Sequence, residues 1–159
     1  MITRKCAISG GPNWVPWTQP KLTSNTSYGT LSVSNYNSLF SMNGWYAADG
    51  STSTWWEAFA NVYSATWQWV LPISIKITGI AIQVRPGDRP NLTVQAYTSS
   101  AKTTKIGDSV TSSYAGQILT IPNIPSTGII TNTIFLDCSS TQDYLGIADI
   151  VITATKLDS

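Results

Sequence analysis

Between Ile75 and Val84 the apolar residues Ile75, Ile77, Ile80, Ile82 and Val84 fall at nearly every second position, and Gly79 interrupts the phase where a bulge or bend would fit. Leu92, Val94 and Ala96 alternate with Thr93, Gln95 and Tyr97, as in a strand with one face buried. Short runs rich in β-branched and aromatic residues, separated by Gly, Pro, Asn and Ser, recur along the chain. They predict strands at Thr30–Ser34, Trp67–Leu71, Ile75–Val84, Asn91–Thr98, Gln117–Ile121, Ile129–Leu136 and Leu145–Ala154. Helical periodicity is almost absent. Arg85 to Pro90 reads as a turn, because proline presets φ and glycine accepts a positive φ. Ser99–Ser113, rich in Ser, Thr and Lys, reads as a solvated hairpin excursion. The prolines of SGGPNWVPWTQP oppose both helix and central strand, so residues 1–29 are expected to form an irregular arm ahead of one domain spanning 30–159. With the first and last strands paired, this pattern predicts an all-β chain folded as an antiparallel β-sandwich of the jelly-roll kind.

Composition narrows the functions open to such a fold. A chain of 159 residues can bury a core as one domain. Its charged fraction is 11%, against about a quarter in an ordinary globular protein. A net charge of +1 with no Lys/Arg cluster offers nothing to a phosphate backbone or an anionic membrane, so neither nucleic acid nor membrane insertion is expected. No stretch reaches the length of a membrane span, and MITRKCAISGG lacks the apolar run of a signal peptide. The absence of histidine removes a Ser/His/Asp triad, a His-ligated metal and the commonest general base at neutral pH. Cys6 and Cys138 are too far apart for a CxxC motif; two free thiols are the simplest reading, and a pairing between them stays open.

Three segments carry a family resemblance. Tyr46-Ala-Ala-Asp-Gly-Ser-Thr-Ser-Thr-Trp-Trp56 resembles the A-x-D-G-x-x-x-T-x-W segment of discoidin (coagulation-factor type C) domains. Trp67–Leu71 followed by Ile75–Arg85 resembles that family's next pair of segments, with Val70 and Leu71 where the family often has Asp and Leu. Gly146-Ile-Ala-Asp149-Ile-Val-Ile-Thr resembles its closing strand. The likeness runs from about residue 30 to residue 155, weakest in the middle, and implies a discoidin-like jelly roll of the galactose-binding-domain type. Members of that family are mostly non-catalytic binders, many of them carbohydrate-binding modules, and many hold a structural calcium ion.

By that resemblance calcium is the expected cofactor. Asp49 would supply a carboxylate, Thr54 a hydroxyl and its carbonyl, and Tyr46 and Thr52 backbone carbonyls, while Asp149 and the Ala148 carbonyl would close the site against the final strand. Calcium favours such a mixture of hard oxygen ligands. The plainer alternative is that Asp49 makes an Asx-turn with Gly50.

Trp56, Trp67 and Trp69 are expected in the core. Trp14, Trp17, Trp45 and Trp55, with Tyr36 and Tyr46, fall in or beside loops, where each either stacks on a sugar ring or folds back onto the sandwich. The candidate ligand-binding set is Trp45, Arg85, Asp88, Arg89 and Asn91, an aromatic ring beside planar hydrogen-bonding groups. Arg85, ending a strand, is equally placed to partner a buried carboxylate. A glycosidase needs two carboxylates across a cleft; Glu57 is the sole glutamate and the aspartates are scattered, so no catalysis is expected. The expected partner is a glycan, such as a bacterial surface polysaccharide, bound weakly and multivalently by a homo-oligomer or alongside other virion proteins. The low charge and the WVPWTQP arm resemble an adhesion domain of a phage tail fibre or virion protein, which sets the expected location as virion or extracellular. The competing class is a structural assembly domain with no sugar ligand.

Overall fold

A computed structural model of the chain describes residues 12–87 and 91–158. Its strands are β1 (Trp14–Pro16), β2 (Thr30–Val33), β3 (Trp56–Glu57), β4 (Ser64–Val84), β5 (Thr93–Tyr97), β6 (Lys105–Thr111), β7 (Ile118–Thr120), β8 (Ile129–Ser139) and β9 (Gly146–Leu157), with one short 3-10 helix at Gly44–Ala48 between β2 and β3. Every pairing among the described residues is antiparallel. The ladder runs β1-β9-β4-β8-β5-β6, with β2 and β7 also on β4 and β3 on β9.

The long strand β4 turns this ladder into a sandwich. Its first stretch, Trp67–Val70, pairs with β2 and β8. The β8 register then shifts between Val70 and Ile75, at a bend containing Pro72, and the second stretch pairs with β9 and β7. The two runs predicted separately over 67–71 and 75–84 are therefore one bent strand, and the sheet closes over itself as two layers. The side chains that alternate inward meet between the layers: Trp67, Trp69, Ile75, Ile77, Ile80 and Ile82 from β4 against Ile147, Ile150, Ile134 and Leu136 from β9 and β8, all but fully buried. Trp17, just beyond β1, reaches across to Trp69 with ring centroids 6.3 Å apart.

The core placement expected of Trp56, Trp67 and Trp69 holds, each at 0% exposure. A buried indole N–H needs an acceptor, and each of these finds a loop carbonyl. Trp56 Nε1 donates to Asn35 O at 2.9 Å, Trp67 Nε1 to Gly44 O at 2.9 Å and Trp69 Nε1 to Tyr28 O at 2.8 Å. The core thus pins three points of the chain between residues 28 and 44.

Two segments differ from expectation. The region read as an irregular arm over 1–29 contains a strand: Trp14–Pro16 pairs with Thr155–Leu157, and Trp17 and Leu22 belong to the core. β1 lies at the end of the ladder, where a proline removes no central hydrogen bond. The first and last strands do pair, but the first is β1 rather than Thr30–Val33. Asn13 and Asp158 meet beside it, through Asp158 N to Asn13 O at 2.9 Å and Asn13 Nδ2 to Asp158 Oδ2 at 3.3 Å. Ser99–Ser113, read as a solvated hairpin excursion, does form the outer half of a hairpin, but through a regular strand absent from those predicted: β6 pairs with β5 although only Ile106 of its seven residues is buried. Cys138 is buried and free, and burial pushes its thiol far above the ordinary cysteine range. Cys6 lies outside the described residues.

Candidate functional site

At the end of the sandwich away from the β4 bend, the loops converge on Glu57. In sequence this residue stands between Trp56 and Ala58; β3 pairs with β9 here and draws it into the interior at 8% exposure. A buried carboxylate is stable only when paired and hydrogen-bonded. Glu57 Oε1 lies 3.5 Å from Arg85 Nε at the end of β4 and accepts from Trp55 Nε1 at 3.2 Å, while Oε2 accepts from Asn37 Nδ2 at 2.9 Å. Arg85, itself 7% exposed, also donates to Tyr144 O, and to Pro86 O at 2.9 Å. Backbone bonds complete the lock: Asn37 N to Glu57 O at 2.7 Å, Ala58 N to Leu145 O at 2.8 Å and Arg85 N to Gly146 O at 3.2 Å. Four loop segments, 35–43, 55–63, 85–87 and 140–145, are held by one buried ion pair and its neighbours.

A second cluster lies where the 49–54 loop meets β9. Asp49 Oδ1 accepts from Ser51 N at 2.9 Å, the Asx-turn weighed from the sequence, while Oδ2 accepts from the Thr54 hydroxyl. Across from them, Ala148 and Asp149 fall between the β3 pairing at 146–147 and the side chain of Gln19, which donates to Ile150 O at 2.9 Å and accepts from Ile152 N at 2.7 Å. The β4–β9 register shifts at this point, leaving Ala148 as the extra residue of a bulge. Burial raises the Asp149 carboxyl above its ordinary value, the backbone N–H of Ile150 opposes that, and the charge of Asp49 pushes it up further. A cleft of about 180 Å³ opens beside Asp149, Gly50, Lys21 and Gln19. Asp49 and Thr54 are thus in hydrogen-bond contact, and Asp49 stands near enough to Asp149 for their charges to interact. Tyr46 is half-buried in the 3-10 helix, and Thr52 points to solvent. Among the described residues no trio of His, Cys, Asp and Glu converges.

Of the expected ligand contacts, Asp88 and Arg89 lie outside the described residues. Arg85 is inside the lock just described, the structural role weighed for it. Asn91 is half-buried and its Oδ1 accepts from Thr141 N at 3.2 Å. Trp45 is half-buried, its ring edge-on to Tyr46 at 4.5 Å and packed on the core. The other loop tryptophans have also folded back: Trp17 into the core, Trp55 onto Glu57, and Trp14 under the Lys76 ammonium at 4.2 Å. Glu57 and Asn37 are not among the residues expected at a site. The available signal was an acidic residue enclosed by Trp56 and Ala58, which marks a buried charge that needs a cation.

No family model and no curated protein matches the chain. Solved structures do. A pectin-binding carbohydrate-binding module is 22% identical, with a TM-score of 0.61 over 79% of this chain and 90% of that one. The family 32 carbohydrate-binding module of C. perfringens NanJ, in complex with galactose, is 16% identical, with a TM-score of 0.62 over 80% of this chain and 93% of that one. An F-lectin (fucolectin) from striped bass (Morone saxatilis) serum is 14% identical with a TM-score of 0.67; the match spans 93% of this chain and 51% of the lectin. At these identities the likeness establishes the fold: the chain is a β-sandwich of the jelly-roll type seen in carbohydrate-binding modules and F-lectins. No helix among the described residues is long and apolar enough to cross a membrane.

Proposed function

We propose that this domain is a non-catalytic glycan-binding module whose site is the loop end locked by Glu57 and Arg85. The observation that carries the reading is the lock itself. A buried ion pair, with Asn37 and Trp55 donating to its carboxylate, holds four loop segments in place before any ligand arrives, which reduces the ordering cost of binding a flexible, heavily hydrated molecule. Glu57 is spent on that structure, and Asp49 and Asp149 stand at a different cluster. The fold it shares with modules whose names record binding to pectin or galactose supports the same reading. We infer further that the domain serves adhesion on a virion or phage tail fibre, presented in several copies against a bacterial surface polysaccharide, consistent with its polar, weakly charged composition.

Calcium would sit between the 49–54 loop and β9. The residues suit the ion in kind: two carboxylates close enough for one to raise the other, the Thr54 hydroxyl beside Asp49 and the backbone carbonyl of the Ala148 bulge on β9 are all hard oxygen donors. Asp49, Thr54, Asp149 and the Ala148 carbonyl would hold it, and its charge would offset the carboxylate repulsion and tie β9 to the loop.

A glycan array of the isolated domain, read with and without chelator, tests the binding reading. Binding to at least one glycan class is expected; an array blank in both conditions would instead favour an assembly domain with no sugar ligand. Calcium should raise the melting temperature, with Asp49→Ala and Asp149→Ala removing that shift. An unchanged melting curve and no metal by elemental analysis would remove the ion.

A further inference from the structure

Exposed large apolar side chains stand on two neighbouring loops of the locked end. Tyr36, Leu39 and Phe40, between β2 and the 3-10 helix, are 44%, 74% and 69% exposed, and Tyr63, between β3 and β4, is 49% exposed. The two loops are stitched together: Asn35 Oδ1 accepts from Phe59 N at 2.8 Å, Ser34 N donates to Thr66 O at 3.0 Å and Thr66 N to Ser34 Oγ at 2.8 Å. From below, Trp56 Nε1 holds Asn35 O and Glu57 holds Asn37. These rings are therefore carried on backbone already fixed by the core.

Charge narrows what could cover them. Residues 28–48 and 58–75 contain no Asp, Glu, Lys or Arg, and the exposed polar side chains beside the rings include the hydroxyls of Ser38 and Ser41 and the amide of Asn61. Among the described residues of these two loops, a phosphate or carboxylate ligand finds no cation. Nor does a bilayer find a Lys or Arg on them to engage its headgroups. Aromatic faces interspersed with neutral donors and acceptors match a ligand that alternates C–H faces with hydroxyls.

We propose that Tyr36, Phe40 and Tyr63 form the stacking platform of this end of the sandwich and take the apolar face of an uncharged sugar ring. The inference rests on the glycan-binding reading and moves the contact residues from Trp45 and Asn91 to these two loops.

Affinity electrophoresis in gels containing neutral galactan or mannan, or the acidic polymers polygalacturonate or alginate, tests it. The wild-type domain should be retarded by a neutral polymer and less by the acidic ones. Tyr36→Ala, Phe40→Ala and Tyr63→Ala should each weaken that retention about tenfold, the size expected of an aromatic anchor, with melting temperature unchanged. Phe40→Leu should lose binding as Phe40→Ala does, Phe40→Tyr should keep it, and Leu39→Ala should leave it intact, since a leucine has no π face. Retention by a neutral polymer that survives all three alanine substitutions overturns the platform and leaves the glycan reading standing. Stronger retention by the acidic polymers, or equal losses from Leu39→Ala and Phe40→Ala together with binding to phosphatidylcholine vesicles, also overturns it. No retention in any of the four polymers overturns the platform, and with a blank glycan array the binding reading falls with it.

Discussion

Replacing Glu57 with alanine tests the locked end most directly. The substitution takes the Glu57 carboxylate away from the buried Arg85 guanidinium, their side chains being 10% and 9% exposed, and strands the Asn37 amide and the Trp55 indole N–H. Removing one partner of a buried pair costs about 3–5 kcal/mol. The stranded donors would each cost about 1–3 kcal/mol alone, but they belong to one network and do not add. At about 2–4 °C per kcal/mol for a domain of this size, the melting temperature should fall by about 6–20 °C. In guanidinium titrations the midpoint should drop with little change in slope. The double variant Glu57→Met, Arg85→Met removes both charges and fills the space, so it should be less destabilised than the two single variants summed, with a coupling energy of about 0.5–3 kcal/mol. A loss under about 1 kcal/mol for Glu57→Ala, or strict additivity in the double variant, would refute the claim that this pair organises the loops.

Other outcomes follow from single contacts. Gln19→Ala should cost about 1–3 kcal/mol by urea denaturation, since both amide atoms bond the β9 backbone. Gly146→Ala should be severely destabilising by thermal melt, because a Cβ there would lie 2.1 Å from Trp56 O, on the strand that β9 pairs with. In metal-free buffer the folded state holds a proton on Asp149 that the unfolded chain releases, so the contribution of this group should fall as pH rises from the ordinary carboxylate value through the raised one; Asp149→Asn should flatten that part of the stability profile. Cys138, kept as a buried thiol, should resist alkylation in the native protein and react only on unfolding, as followed by mass spectrometry.

What the sequence made legible was the part governed by local alternation. The second half of β4, β5 and β9 each bury every second residue over most of their length, and their apolar positions announce it. The turn at Asp49 was legible for the same local reason, since the Asp side chain bonds the backbone two residues on. β6 was not, because KIGDSVT buries one residue and owes its extended form to β5. β1 was hidden by prolines that an edge position tolerates. At the loop end, Arg85 was legible as a strand-end cation with two possible roles, but its partner was not: Glu57 stands 28 residues away, and only the β3–β9 pairing and the end of β4 bring the two together. The loop tryptophans misdirected for a related reason, since a large ring on a loop has core surface within reach, and smaller Tyr36, Phe40 and Tyr63 are left outside.

The meeting of Asn13 with Asp158 also determines how the domain bears mechanical load. Because β1 and β9 are antiparallel and these two residues lie at the same end of their pairing, a force drawing them apart falls first on Trp14 opposite Leu157, then on Val15 opposite Lys156, then on Pro16 opposite Thr155. The pairs open one after another, as in a zipper, and do not resist together in shear. Tension would peel β1 from the sandwich at low force, while the layers joined through β4 and the locked loops at the far end carry almost none of it.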